Sequence, residues 1–534
     1  MAPPAKPNIQ HTLQLLRQLV RDRKFASAEY VALDLQKSYP KRAECNDALG
    51  VVLSAMRKFG EAEPFARRAV AAEPRSAIYA MNLGRILLEI GQVAEAAPLF
   101  ERALALDPKL FLAAWAMGTF HALSGRGDRA LNFYRKTLTL APEQMQPAVR
   151  YELANCLAAL GRRAEAEAAH QSNLNVPALR ARSISALAAL GSYTVDDREF
   201  AMVNDELQRP GLNPEERSSL LSQKGAMLGN SGRFAESFTV MQEAKDILRI
   251  KPDLPSFGRE VDKKIETLNG QTIAHLAGRF GLPSRRLVFI VGMPRSGTTL
   301  TEQIAIGHSR IGSAGETDGI ERLYLALCGK RGTESFEQVL ESVGPERVRR
   351  AAANYLDQID YLAGGKPLIV DKMPHNFRLI GEIAALFPEA RIVHCVRHPA
   401  ASFLSAFQAE MGPVHAYSYR PEYYAEYYAG YARLMRHWDS ALPGRIFTMQ
   451  YEDLTQNPRP VVEKLLAFVG VEWEEACMSF HRKETTVRTL SQLQVRGAIN
   501  TNSVERWKSY ERQIQPVLAK LGRDYPAKWA DDWS

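Results

Sequence analysis

Residues 285–310 read RRLVFIVGMPRSGTTLTEQIAIGHSR. Five apolar residues, 287–291, run without interruption into Gly292, and a helix-compatible stretch follows Thr298. A short apolar run closed by a glycine-bounded turn predicts a buried strand feeding a helix. The turn itself, Gly292-Met-Pro-Arg-Ser-Gly297, keeps the GxxxxG spacing of a phosphate-binding loop, but Thr298 stands where a Walker A motif has lysine. Glycines permit the tight turn, successive N–H groups converge on an anion, and the positive helix end adds its attraction. An anion site is therefore expected, without the cation that grips the β- and γ-phosphates of a nucleoside triphosphate.

Three later runs repeat the strand-then-helix pattern: PLIVD at 367–371, RIVHCV at 391–396 and RIFTM at 445–449. Short buried strands alternating with helices predict an α/β domain with a parallel sheet covered on both faces. Ligands of such sheets sit beyond the carboxyl ends of the strands. After the third run comes Val396-Arg397-His398-Pro399-Ala-Ala-Ser402-Phe-Leu-Ser405, where Arg397 and Ser405 are placed to meet one phosphate, the arginine through a charge-assisted fork.

Toward the N-terminus the pattern is different. Pro40, Pro74, Pro108 and Pro142 recur every 34 residues, and Leu49-Gly50, Leu83-Gly84 and Met117-Gly118 recur in the same phase. Ala62, Ala96 and Ala130 follow, then Ala66, Phe100 and Tyr134. That period resembles the tetratricopeptide repeat, in which small residues let paired helices approach closely. The expected organisation is an all-α repeat array over 1–250, clearest at 43–142 and degenerate around 175–215, then a helical linker over 251–284 and the α/β domain over 285–534. The concave face of such an array suits a peptide or protein partner.

Composition narrows the class. The 534 residues are 46% hydrophobic and 24% charged, which excludes wholesale disorder and collagen-like sequence. A net charge of +8 suits an anionic ligand but is too dispersed to argue for nucleic acid. Cys45, Cys156, Cys328, Cys395 and Cys477 form no CxxC pair and read as reduced core residues. No apolar leader and no run long enough for a membrane span is evident, so a cytoplasmic location is expected; the oligomeric state is not legible.

Together, PRSGTT and VRHPAASFLSAF resemble the two nucleotide motifs of sulfotransferases that use 3′-phosphoadenosine 5′-phosphosulfate (PAPS), most closely the tyrosylprotein sulfotransferases and bacterial proteins joining tetratricopeptide repeats to such a domain. The resemblance implies a P-loop-like sulfotransferase fold with PAPS as co-substrate and no metal. It implies that Arg295, Ser296, Gly297, Thr298 and Thr299 hold the 5′-phosphosulfate, and Arg397 and Ser405 the 3′-phosphate. In its register Glu316, within Ala314-Gly315-Glu316-Thr317, is the catalytic base, Gly315 replacing a first glutamate. Lys372 is a cation for the transferring group, Ser491 a second stabiliser, and Tyr451, Arg496 and Arg506 are nucleotide contacts. A basic residue expected four positions after Ser405 is Ala409.

The chemistry wants these groups: a carboxylate accepting the hydroxyl proton makes that hydroxyl a better nucleophile, and a cation stabilises charge gathering on the sulfuryl and bridging oxygens. Taken without the resemblance, Glu316 reads as an N-cap or ion-pair carboxylate, Lys372 as a partner of Asp371, and His375 or His398 as an alternative base. The implied function is sulfuryl transfer from PAPS to a hydroxyl, with protein tyrosine first and a saccharide or small molecule second. An inactive tetratricopeptide interaction protein and a P-loop kinase are the readings from other classes.

Overall fold

The computed structural model describes residues 7–329, 334–480, 499, 501 and 503–522. Its contacts divide the chain into two units, Met1–Leu153 and Ala154–Ser534.

In the first unit the 34-residue period becomes paired helices: Ala43–Ala55 with Phe59–Ala72, Ala77–Glu89 with Val93–Leu106, and Phe111–Leu123 with Gly127–Leu140. The recurring glycines are contact points. A Cβ on Gly84 would stand 2.7 Å from the Phe100 ring, and one on Gly118 would stand 2.7 Å from the Tyr134 ring. The missing side chain at one position therefore accommodates the aromatic ring 16 residues later, and the repeats keep both halves of that exchange.

The second unit is built on five parallel strands in the order β2-β3-β1-β4-β5. They are β1 Leu287–Gly292, β2 Ile311–Gly315, β3 Leu368–Lys372, β4 Arg391–Val396 and β5 Ile446–Gln450. The expected runs become β1, β3, β4 and β5. The sequence Ile-Gly-Ser-Ala-Gly of β2 carries too little apolar bulk to read as a strand, and pairing with β3 makes it one. Side chains alternate along β1: Leu287, Phe289 and Val291 join one core, and Val288 and Ile290 join another on the opposite face. From β1 the chain moves toward β2, and from β4 toward β5. Between β1 and β4 the direction of winding reverses, and the crevice at such a switch point is where open α/β sheets bind ligands.

The tetratricopeptide-like pattern and the contacts part company between residues 154 and 284. Helices Leu254–Thr267 and Gly270–Phe280, in the stretch expected to link two domains, place Phe257, Val261, Ile273, Leu276 and Phe280 in the core of the sheet's first face. The preceding pair, Pro214–Asn230 and Phe234–Ile247, also belongs to this unit. Met241 enters the same core, and Ser237 Oγ lies 3.1 Å from the Tyr510 hydroxyl. Burial of these apolar faces against the sheet explains why these helices belong to the second unit. Among the described residues no helix is long and apolar enough to cross a membrane.

Candidate active site

Two sets of charged groups stand at the carboxyl ends of the strands. The first lies between β1 and β4, where parallel pairing sets Gly292 beside Cys395 and brings the two following loops together. Arg295 holds a left-handed backbone, φ +71°, unusual for a residue with a side chain. Its neighbours hold it there: its Nε donates to Ser405 Oγ at 2.9 Å, and its carbonyl accepts from Arg397 Nη1 at 3.1 Å. Arg397 also donates to Ser503 O at 2.6 Å and lies over the Tyr451 ring, 4.6 Å from its centre. Burial, and then the neighbouring charge of Arg397, push Arg295 down to about 10; burial also lowers Arg397. Among the described residues Arg397 has no carboxylate within ion-pair distance, and its Nε is buried without a partner.

The loop supplies further donors. Ser296 is buried, and its Oγ has no hydrogen-bond partner among the described residues. Thr298 and Thr299, both buried, open the helix Thr298–Ala305, whose first amides have no acceptor within the helix. Gly297 has φ +99°, and a Cβ there would stand 2.6 Å from Tyr451, so this ring closes one side of the loop.

The second set lies between β2 and β3. Pairing of Gly315 with Asp371 sets Glu316 alongside Lys372. The fully buried Lys372 donates from Nζ to Glu316 Oε1, and Glu302 Oε2 is 3.4 Å from the same ammonium. Glu302, from the helix that follows the loop, accepts at Oε1 from Ser313 Oγ at 2.5 Å. Glu302 is buried whereas Glu316 is exposed, so one carboxylate anchors the lysine and the other faces outward. Asp371 points away from this pair. It accepts from Tyr355 OH at 2.5 Å, Asn376 Nδ2 at 3.3 Å and Thr317 Oγ1 at 3.4 Å. Burial pushes it up to about 7.

The remaining expected residues fall in several places. Tyr451 meets the loop as described and bonds Ser503 Oγ at 2.9 Å through its hydroxyl. Arg506 is exposed, one residue before a buried Trp507 that stacks on His398 at 4.7 Å. His398 caps the helix Pro399–Gln408 with its Nδ1. His375 bonds the Tyr417 hydroxyl at 3.1 Å, and burial pushes it down to about 3. Ser491 and Arg496 lie outside the described residues. At Ala409 the carbonyl accepts from Lys245 Nζ at 2.9 Å.

Comparison with known proteins follows this geometry. Residues 288–475 match the sulfotransferase family model, and 48–111 and 91–145 match the tetratricopeptide repeat. Over 385 residues the chain is 30% identical to an uncharacterized protein of Aquifex aeolicus, covering 70% of this chain and 50% of the relative. The chain thus spans half the length of that relative. Protein-tyrosine sulfotransferase 1 of Danio rerio is 26% identical over 264 residues, 45% of this chain and 72% of its own. The sulfotransferase domain of the Synechococcus PCC 7002 olefin synthase is 22% identical with a TM-score of 0.33, over 46% of this chain and 97% of that one.

Two members of the candidate site escaped sequence reading. Glu302 is one helical turn past the loop in an unremarkable amphipathic stretch, and only its contact with Lys372 marks it. Ser503 lies in a segment with no periodic pattern, and its carbonyl and hydroxyl both serve the Arg397–Tyr451 side.

Proposed function

We propose that this chain transfers a sulfuryl group from PAPS to an acceptor hydroxyl, with tyrosine of a peptide or protein as the acceptor. One observation carries the reading. Two guanidiniums stand together at the switch point of the sheet, and Arg397, which is buried, has no carboxylate within ion-pair distance among the described residues. Holding two like charges side by side is costly, and the cost is recovered when an anion with more than one charge enters. A nucleotide carrying a 3′-phosphate and a 5′-phosphosulfate is such an anion. The unpartnered Ser296 Oγ and Arg397 Nε are donors of the kind it needs.

PAPS supplies a sulfuryl group activated by its bond to phosphate. The chain's residues do the rest. Arg295 with the amides and hydroxyls of 296–299 orients the 5′ end, and Arg397 with Ser405 takes the 3′-phosphate. Glu316 accepts the proton of the attacking hydroxyl. Lys372 stabilises charge on the sulfuryl oxygens and on the oxygen left behind. The tyrosine acceptor is supported by the Danio rerio relative, named a protein-tyrosine sulfotransferase, and by repeats of a type that binds peptides.

Calorimetry with adenosine 3′,5′-bisphosphate (PAP) tests the reading. Binding should weaken with salt and fall roughly 10–100-fold in Arg397→Ala; preference for ATP with magnesium would overturn it.

A further inference from the structure

The helix Thr298–Ala305 starts at the anion loop and carries Glu302 into the second set of charges. There its carboxylate closes a ring of contacts. Glu302 Oε2 is 3.4 Å from Lys372 Nζ, and the same ammonium donates to Glu316 Oε1. Glu302 Oε1 accepts from Ser313 Oγ at 2.5 Å, and Ser313 Oγ accepts from Gly315 N at 2.9 Å. Gly315 directly precedes Glu316, so the path from Glu302 reaches Glu316 through the backbone as well as through Lys372. That backbone departs from an ordinary strand: the pairing of β2 with β3 shifts register between Ser313 and Gly315, and Gly315 has φ +75°. A Cβ on Gly315 would meet nothing within 4 Å, so glycine serves the left-handed conformation rather than a close approach.

Burial separates the two carboxylates. The side chains of Lys372, Glu302 and Glu316 are 0%, 7% and 37% exposed. With both carboxylates ionised the three groups carry a net negative charge, and with Glu316 protonated they are neutral together. A buried ammonium left with no counter-charge would be strongly destabilising. Among the described residues, Glu302 and Glu316 are the carboxylates within ion-pair distance of Lys372, so Glu302 alone fills that role when Glu316 is neutral.

We propose that Glu302 is the positioning residue that lets Glu316 act as a base: it remains the counter-charge of Lys372 while Glu316 holds a proton, and through Ser313 it fixes the backbone that presents Glu316. This rests on the sulfuryl-transfer reading above. In the step, the acceptor oxygen forms a bond to sulfur, and the bond from sulfur to the 5′-phosphate oxygen breaks with its electron pair staying on that oxygen. The hydroxyl proton moves to Glu316 and then to water. Neither Lys372 nor Glu302 gains or loses a proton.

Other titratable groups feel these charges. Arg295 and His415 interact with Glu316, Asp371 with Glu302 and Lys372, and Cys395 with Lys372. All of them stay in place when Glu302 alone is changed.

The test is Glu302→Gln in the full-length protein, which keeps the size of the side chain and removes its charge. In kinetics with labelled PAPS and N-acetyltyrosinamide, a phenol that keeps its proton at neutral pH, kcat should fall about tenfold while PAP affinity by calorimetry is kept. The acid limb of kcat/KM should move down by about one pH unit, because Glu316 loses a neighbouring negative charge and ionises more readily. Glu302→Asp, which keeps the charge, should retain the wild-type limb. Ser313→Ala, which cuts the backbone arm and keeps all three charges, should lower kcat about three- to tenfold and leave the limb in place. A second readout needs no nucleotide: in thermal melts the Glu302→Gln, Glu316→Gln double variant should lose more Tm than the two single variants together, since it strips Lys372 of both carboxylates. An unshifted acid limb in Glu302→Gln, or additive losses in the melts, would overturn the proposal. Failure of the wild-type protein to bind PAP would instead count against the sulfuryl-transfer reading.

Discussion

The two sets of strand ends handle charge in opposite ways. Between β2 and β3 the charges are matched internally: Lys372 lies against Glu302 and Glu316, and Asp371 is enclosed by Tyr355, Asn376 and Thr317. Between β1 and β4, Arg295 and Arg397 repel each other, and Arg397 bonds only carbonyls and an aromatic face among the described residues. One side is complete without a ligand and the other is not. In the sulfuryl-transfer reading proposed above, this division would hold the reacting groups in register while a polyanion, on binding, stabilised the cationic side.

The comparison is broken or sharpened by substitutions on its two sides. The largest effect is expected from Glu316→Gln, which should cut transfer about 10²–10⁴-fold in a labelled-PAPS assay while PAP affinity by calorimetry is kept. Retained turnover would remove Glu316 from its role. Next, Lys372→Met should lower kcat about 10²–10³-fold. Because it leaves Glu302 buried without its cation, it should also lower thermal stability in the absence of nucleotide, by about 3–5 kcal/mol.

On the other side the signs divide. Arg397→Ala should weaken PAP binding roughly 10–100-fold, the value of one to two charge-assisted hydrogen bonds, and flatten its salt dependence. Without nucleotide it should disturb stability far less than Lys372→Met, since it removes an uncompensated charge. Equal destabilisation by both variants in differential scanning calorimetry would erase the contrast. The smallest effect concerns Asp371. Its folded pKa of about 7 lies above the ordinary 3.8, so the native state keeps a proton that the unfolded chain loses between those values. Stability should therefore fall as pH rises from about 4 to 7, and Asp371→Asn should flatten that slope in thermal melts.

Much of this contrast was legible along the chain. The apolar run before Gly292 and the Arg397 that follows a second run are local patterns, and strand order carries both to one crevice. Glu316 was legible only by resemblance, since β2 is too small-sided to read as a strand. The helices of 214–247 carry the same small-residue grammar as the first repeats: a Cβ on Gly225 would stand 2.5 Å from Met241, as one on Gly84 would meet Phe100. No pattern in them announces that Gln242 reaches the Tyr419 carbonyl or Lys245 the Ala409 carbonyl.

The sequence by itself determined the repeating helix pairs, four of the five parallel strands and the glycine-bounded turn Gly292–Gly297. Each follows from neighbours within a few residues or from a fixed period, where backbone geometry and apolar spacing act directly. Only the tertiary structure decided which charges face one another: Glu302 under Lys372, and Arg397 beside Arg295. Those encounters join residues up to 102 positions apart. Electrostatic interaction depends on distance and burial in the folded chain, and linear order encodes neither.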